Sequence, residues 1–250
     1  MKAIALVLVA ALAACTGDLD EKWFLDHDRI IAVRASSPGI VTGETATIDA
    51  LVGFKGASPA AMSPPLAMVV QPESLASSLS NNGGTWTVSM PDDASLAAAR
   101  TELALDAGAP VPLQIGVAFP STTFPERTST DPIAALKVVW LGEHRDNPMI
   151  TGIDLNGMDG TTVTDITLDY TVDTPFRIDA SVNDGDDVAW LTSCGTLHDD
   201  DLEHSYIRIQ DDDPLMGDFA VVLRKPNGGV DWRTWKIHVD PATIPPDKSN

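Results

Sequence analysis

Phe219-Ala220-Val221-Val222-Leu223-Arg224, then Asn227-Gly228-Gly229, then Trp232-Arg233-Thr234-Trp235-Lys236-Ile237-His238-Val239: this stretch decides how the chain is read. Two runs rich in β-branched and aromatic residues flank an Asn-Gly-Gly turn, the pattern of a β-hairpin. Trp232 and Trp235 are three residues apart, so on one strand they face opposite sides. One is expected in a core and the other part-exposed.

Working outward, five similar runs precede the hairpin. They are Met149 to Leu155, Val163 to Tyr170, Phe176 to Val182, Val188 to Thr192 and Ser205 to Ile209. With the hairpin this makes about seven short strands, the number expected of an immunoglobulin-like sandwich. His144 to Pro148 is a polar break, and a domain boundary is expected there. Before it, Arg29 to Ala35, Thr45 to Val52, Leu66 to Val70, Thr85 to Met90, Val111 to Phe119 and Ala134 to Leu141 read as strands, separated by turn residues such as Asn81-Asn82-Gly83-Gly84. Trp86, Trp140 and Trp190 sit in such runs and are expected in cores. Asp92 to Arg100 opens on acids and continues in strong helix formers, which predicts one short helix. Residues 54–65 and 120–132 are rich in Pro, Ser and Thr and read as loops. Ile48-Asp49-Ala50-Leu51-Val52 recurs as Ile178-Asp179-Ala180-Ser181-Val182, each early in its half, which points to duplication.

The first fifteen residues address the chain elsewhere. Lys2 gives a positive start, Ala3 to Ala11 an apolar run, and Leu12-Ala13-Ala14-Cys15 a lipobox. The apolar run falls short of the roughly 20 residues that span a bilayer, so a cleaved signal fits better than a membrane helix. These residues resemble bacterial lipoprotein signal peptides. That resemblance implies cleavage before Cys15, a diacylglycerol on its thiol and, with Thr16 following, sorting to the outer membrane of a Gram-negative bacterium. Residues 16–27 then read as a tether, in which the apolar Trp23-Phe24-Leu25 is expected to dock on the first domain.

The formal net charge is −20 over 250 residues, and removing residues 1–14 takes away one lysine and no acid. Phosphate backbones and anionic lipid headgroups repel such a chain, so nucleic acid is excluded as a partner. An exported chain with two cysteines, one of them acylated, has no intrachain disulfide, and its domains must stand on their hydrophobic cores.

The second half resembles bacterial immunoglobulin-like or PKD-like modules over roughly residues 149–240. The resemblance rests on Phe176 to Val182, Asp184-Gly185-Asp186-Asp187-Val188-Ala189-Trp190, Gly217 to Leu223, the Gly228-Gly229 turn and a last strand ending Ile237-His238-Val239. It implies that Trp190 fills the centre between two sheets. Cys194 stands alone where such modules often carry a bridging pair, and Phe219 occupies the place of a tyrosine. The whole layout is similar to lipoproteins of predatory and social Gram-negative bacteria.

Few residues point to chemistry. Asp184, Asp186 and Asp187 share one loop, and Asp199 to Asp201 and Asp211 to Asp213 form two more. Calcium takes several hard oxygens from loops able to wrap it, whereas Asp is also simply a favoured turn residue. Asp154 to Gly160 fails as an EF-hand, because Met158 stands where a ligand is needed; a tight turn at Asn156-Gly157 accounts for it. Cys194, His198 and His204 are the one soft-ligand cluster, with a spacing that matches no standard zinc or copper site. No motif of a nucleophile elbow, zincin or P-loop occurs.

The expectation is therefore an all-β chain. Residues 1–14 are a signal peptide and 15–27 the lipidated Cys15 and tether; 28–146 and 147–240 are two immunoglobulin-like β-sandwich domains, the first with one short helix; 241–250 are a tail. The expected role is a non-enzymatic, lipid-anchored binding or scaffold protein of the cell envelope, without catalytic residues or an organic cofactor. Its partners would be the membrane, through the lipid, and an envelope protein or glycan. The alternatives are a calcium-dependent adhesin using Asp184, Asp186 and Asp187, and an envelope hydrolase.

Overall fold

The computed structural model describes residues 21–170, 176–183 and 185–245. The expected signal peptide, Cys15 and Asp184 lie outside the described residues. Among the described residues no helix is long and apolar enough to cross a membrane.

The first half holds β1 (Arg29–Ala35), β2 (Gly39–Ile40), β3 (Thr45–Phe54), β4 (Ala57–Met62), β5 (Leu66–Gln71), β6 (Leu79–Asn82), β7 (Thr85–Ser89), α1 (Asp93–Glu102), β8 (Val111–Phe119) and β9 (Ile133–Leu141). The second holds β10 (Gly152–Leu155), β11 (Met158–Asp159), β12 (Asp165–Leu168), β13 (Phe176–Ser181), β14 (Asp187–Thr192), β15 (Thr196–His198), β16 (His204–Arg208), β17 (Met216–Arg224) and β18 (Val230–Val239). In the first half β1-β3-β7-β6 make one sheet, with β4 added on β3, and β2-β9-β8-β5 make the other. In the second, β10-β13-β16-β15 make one sheet, with β11 outside β10, and β12-β18-β17-β14 make the other.

Counted along the chain, the two orders are the same. Each half has an A-B-E-D sheet facing a G-F-C sheet, and a short early strand lies parallel to the last one, β2 on β9 and β12 on β18. That is the strand order of an immunoglobulin-like sandwich. The repeated pentapeptides begin on the same strand, β3 and β13, in the same register, with Val182 just past the end of β13. Ile48 lies opposite Ala35 and Ile178 opposite Leu155; Ala50 lies opposite Val33 and Ala180 opposite Ile153.

Each half has its own core. Ile48, Val52, Leu113, Ile115 and Phe119 meet between the first pair of sheets. Trp190, Phe219, Val221, Trp235 and Ile237 meet between the second. The Trp190 and Phe219 rings stack at 5.5 Å, and Trp235 lies 5.4 Å beyond Phe219. Phe219 thus fills core space in the absence of a cysteine bridge. The Trp190 Nε1 donates to the Leu202 carbonyl at 2.9 Å.

Several expectations need correction. Residues 54–65 are not one loop: Ala57–Met62 is β4, because the turn at Lys55-Gly56 folds the chain back onto β3 and backbone pairing there outweighs weak strand propensity. β2, β6, β11 and β15 are two to four residues long, too short to show a period. The helix runs to Glu102, and Asp92 lies just before it as its cap, accepting from the Ser95 N–H at 2.7 Å. Trp140 is not core; it lies on the outward face under the Arg145 guanidinium, 4.0 Å from its ring. Trp23-Phe24-Leu25 docks on both halves: Leu25 packs with Ala32 and Leu51 of the first, while Leu25 N–H donates to the Thr192 carbonyl and Thr192 N–H to the Trp23 carbonyl, so the segment extends the β14 edge of the second.

A third apolar cluster joins the halves. Leu25, Ala32, Leu51, Leu191, Ala220, Val222 and Val230 pack together, with Trp232 beside them. Arg34 caps this seam. It pairs with Asp49 of its own half and Asp231 of the other, both at 2.8 Å, and its guanidinium lies 3.9 Å over the Trp232 ring. Asn147, between the halves, donates to the Ala35 carbonyl and accepts from the Val230 N–H. Removing the guanidinium leaves two half-buried carboxylates facing each other. Arg34→Met is expected to cost about 2 kcal/mol, in the range of hydrogen bonds to charged groups, measured by urea unfolding. It is also expected to separate the calorimetric transition into two.

Candidate functional site

The acidic loops mostly serve their own turns. The Asp186 N–H donates to the Asn183 carbonyl at 3.1 Å. Asp187 starts β14, opposite Arg224. The Asp200 carbonyl accepts from the Trp190 N–H at 2.8 Å. Asp211 accepts from the Tyr170 hydroxyl, and Asp213 from the Gln210 N–H at 2.7 Å. Asn156 and Gly157, with φ of 54° and 89°, form the tight turn between β10 and β11. Among the described residues no group of three or more His, Cys, Asp or Glu is placed to hold a metal ion. Asp186 and Asp187 are therefore not brought to a third described ligand.

The soft-ligand cluster is a packing arrangement. Cys194 is fully buried, and burial, reinforced by the nearby Asp213 charge, pushes its thiol up to about 12. Such a thiol is a poor nucleophile and a poor metal ligand near neutral pH. His198 stacks on the Tyr206 ring at 4.7 Å.

What stands out is the outward face of β5-β8-β9. The inward positions of β8 are Val111, Leu113, Ile115, Val117 and Phe119, all buried. Its outward positions are Pro112, Gln114, Gly116 and Ala118. Register sets Met68, Gly116 and Leu136 in one row across the sheet. Leu66 is 57% exposed, and Met68 and Leu136 are each 66% exposed. A Cβ on Gly116 would lie 3.1 Å from a Val70 methyl, so the missing side chain is where Val70 rests. The three strands contain one charged residue, Lys137, and it points inward. β5 ends its sheet. A bulge between Val69 and Gln71, with Pro64-Pro65 before the strand and Pro72 after it, interrupts the edge. Such devices block edge-to-edge aggregation while leaving the face open. Sequence reading marked these strands but not their outward face. The available signal was that Leu66 to Val70 has no polar residue in either alternating set.

Two tandem sandwiches of immunoglobulin type, joined by an apolar seam and carrying an exposed apolar patch on one outward face, define a modular β protein. No family model matches the chain, and no curated protein matches it. Among solved structures it is similar to the N-terminal Ig1-2 module of the Drosophila receptor protein tyrosine phosphatase DLAR, at 12% identity and a TM-score of 0.30, covering 85% of this chain and 98% of that one. It is also similar to the fibronectin(III)-like modules of Clostridium thermocellum CbhA, at 14% identity and a TM-score of 0.28, covering 84% and 94%. A third likeness is to invasin, a bacterial integrin-binding protein, at 10% identity and a TM-score of 0.26, covering 84% and 38%. The fold assignment rests on the strand pairings above rather than on these likenesses.

Proposed function

We propose that this chain is a non-enzymatic, lipid-anchored binding protein of the cell envelope. Its contact surface would be the outward face of β5-β8-β9. The supporting observation is an exposed apolar patch at Leu66, Met68, Val70 and Leu136 on a chain of net charge −20. Contiguous apolar patches on soluble domains mark interaction sites, and the net acidity of the chain disfavours close approach by other acidic surfaces. The partner that fits is an envelope protein with an uncharged apolar contact surface. The inert thiol of Cys194 supports the non-enzymatic reading, and the lipobox at Leu12 to Cys15 supports the anchor.

Photo-crosslinking from position 68 in intact cells is expected to give a discrete protein adduct. Leu136→Glu is expected to abolish it without moving the melting curve. Lack of an adduct, or an adduct indifferent to Leu136→Glu, removes the face as the contact. Cys15→Ser is expected to release the chain from the membrane fraction. An unmodified Cys15 in mass spectra of the native N-terminus would overturn the anchor.

A further inference from the structure

A cleft of about 320 Å³ opens along the seam between β1, β9 and the β17–β18 turn. It is lined by Lys137, Arg224 and Lys225, by apolar side chains such as Ile31, Leu136 and Val230, and by no carboxylate. In a chain with 36 acids against 16 lysines and arginines this is the reverse of the prevailing charge. Lys137 is 4% exposed, and its ammonium donates to the Gly228 carbonyl. Arg224 donates to the Ile31 carbonyl at 3.0 Å. Among the described residues none of the three cations makes an ion pair. The opposing charges that act on them are Asp49 for Lys137 and Asp187 for Arg224.

Three backbone donors of the turn are already engaged. Gly228 N–H is committed to the Lys225 carbonyl, Gly229 N–H to Asn227 Oδ1, and Val230 N–H to Asn147 Oδ1. An anion entering here would meet cations at one end and aliphatic side chains at the other. That suits a monoanion on an apolar body better than a phosphate, which needs more N–H donors than the lining provides.

We propose that the seam cleft binds a small aliphatic carboxylate, its charged group held by Lys137 and Lys225 and its body against β1 and β9. The depressed proton affinity of Lys137, caused by burial that Asp49 only partly offsets, is what a bound anion would relieve. The cleft shares Leu136 with the margin of the β5-β8-β9 face; Lys225 lies outside that face, so octanoate binding and its loss in Lys225→Met test the cleft alone.

The test is calorimetric titration of the full chain with octanoate, with octanol as the uncharged control. Saturable single-site binding is expected, weaker by roughly tenfold or more for octanol and for Lys225→Met. Octanoate is also expected to raise the proton affinity of Lys137, read by ¹⁵N NMR of the ammonium. Lys225 is on the rim and part-exposed, so its variant keeps the fold. Absence of saturable binding, equal binding of octanol, or unchanged binding by Lys225→Met would each overturn the proposal.

Discussion

Replacing Trp190 by alanine is expected to destabilise the protein by about 4 kcal/mol, the middle of the range for large aromatic truncations in cores. The indole is fully buried, stacks on Phe219 and donates to the Leu202 carbonyl. Truncation empties the centre of the second core, removes the stacking partner of Phe219 and leaves that carbonyl without its donor. Leu191, the next residue on β14, faces the seam, so slack in β14 also reaches the junction between the halves. A fall in melting temperature of about 10 °C should follow for a chain of this size. Trp190→Phe, which keeps a ring but no donor, should recover most of it. A loss below about 1 kcal/mol for the alanine variant would contradict this packing.

The second large effect concerns Lys137 and has the opposite sign. Burial pulls its ammonium from the ordinary 10.5 down to about 8; Asp49 on β3 opposes that shift, and Arg34 on β1 reinforces it. Arg224 and Lys225 approach from the β17 side. Below pH 8 the residue is protonated both folded and unfolded, and the folded state carries the full cost of a buried charge. Between pH 8 and 10.5 the folded state has released the proton and the unfolded state still holds it, so stability rises with pH there. The shift corresponds to roughly 3 kcal/mol. Lys137→Met is therefore expected to be more stable than the parent at pH 7 by up to about that amount. The gap should narrow as pH rises towards 10. Melting curves of the two proteins at matched pH values isolate the effect, because the other titrating groups are common to both. A gap independent of pH would show that the ammonium is not desolvated.

These predictions also show how much of the molecule was readable beforehand. A core position for Trp190 followed from its strand run, and its central place from the resemblance to immunoglobulin-like modules; Trp140, also in a strand run, lies on the outward face, so the run alone did not decide it. The helix followed from Asp92 and the alanines after it. The repeat at Ile48 to Val52 and Ile178 to Val182 was readable as five matching residues. That both sit on the second main strand of the same sheet order emerged from long-range pairing. β2 and β15 left no trace, since two or three residues have no period and their pairing is set by strands far along the chain. The outward face of β5-β8-β9 was also hidden: alternation says which residues share a side, not which side meets water.

The hairpin that opened the reading divides the two kinds of information most clearly. Local sequence alone settled that Phe219 to Arg224 and Trp232 to Val239 are strands about an Asn-Gly-Gly turn, because strand propensity and turn geometry act over a few residues. It also settled the acidity of the chain. It did not settle why Phe219 to Leu223 is apolar at every position. Phe219, Val221 and Leu223 enter the second core, while Ala220 and Val222 enter the seam with the first half. A strand covered on both faces loses the polar half of its alternation, and what covers the second face is nearly two hundred residues away in the chain. Arg34, Lys137 and Arg224 likewise read as ordinary charges until the fold brought the halves together. Their partners and the cleft they line exist only because two separately closed sandwiches pack side against side, a long-range contact that no local pattern encodes.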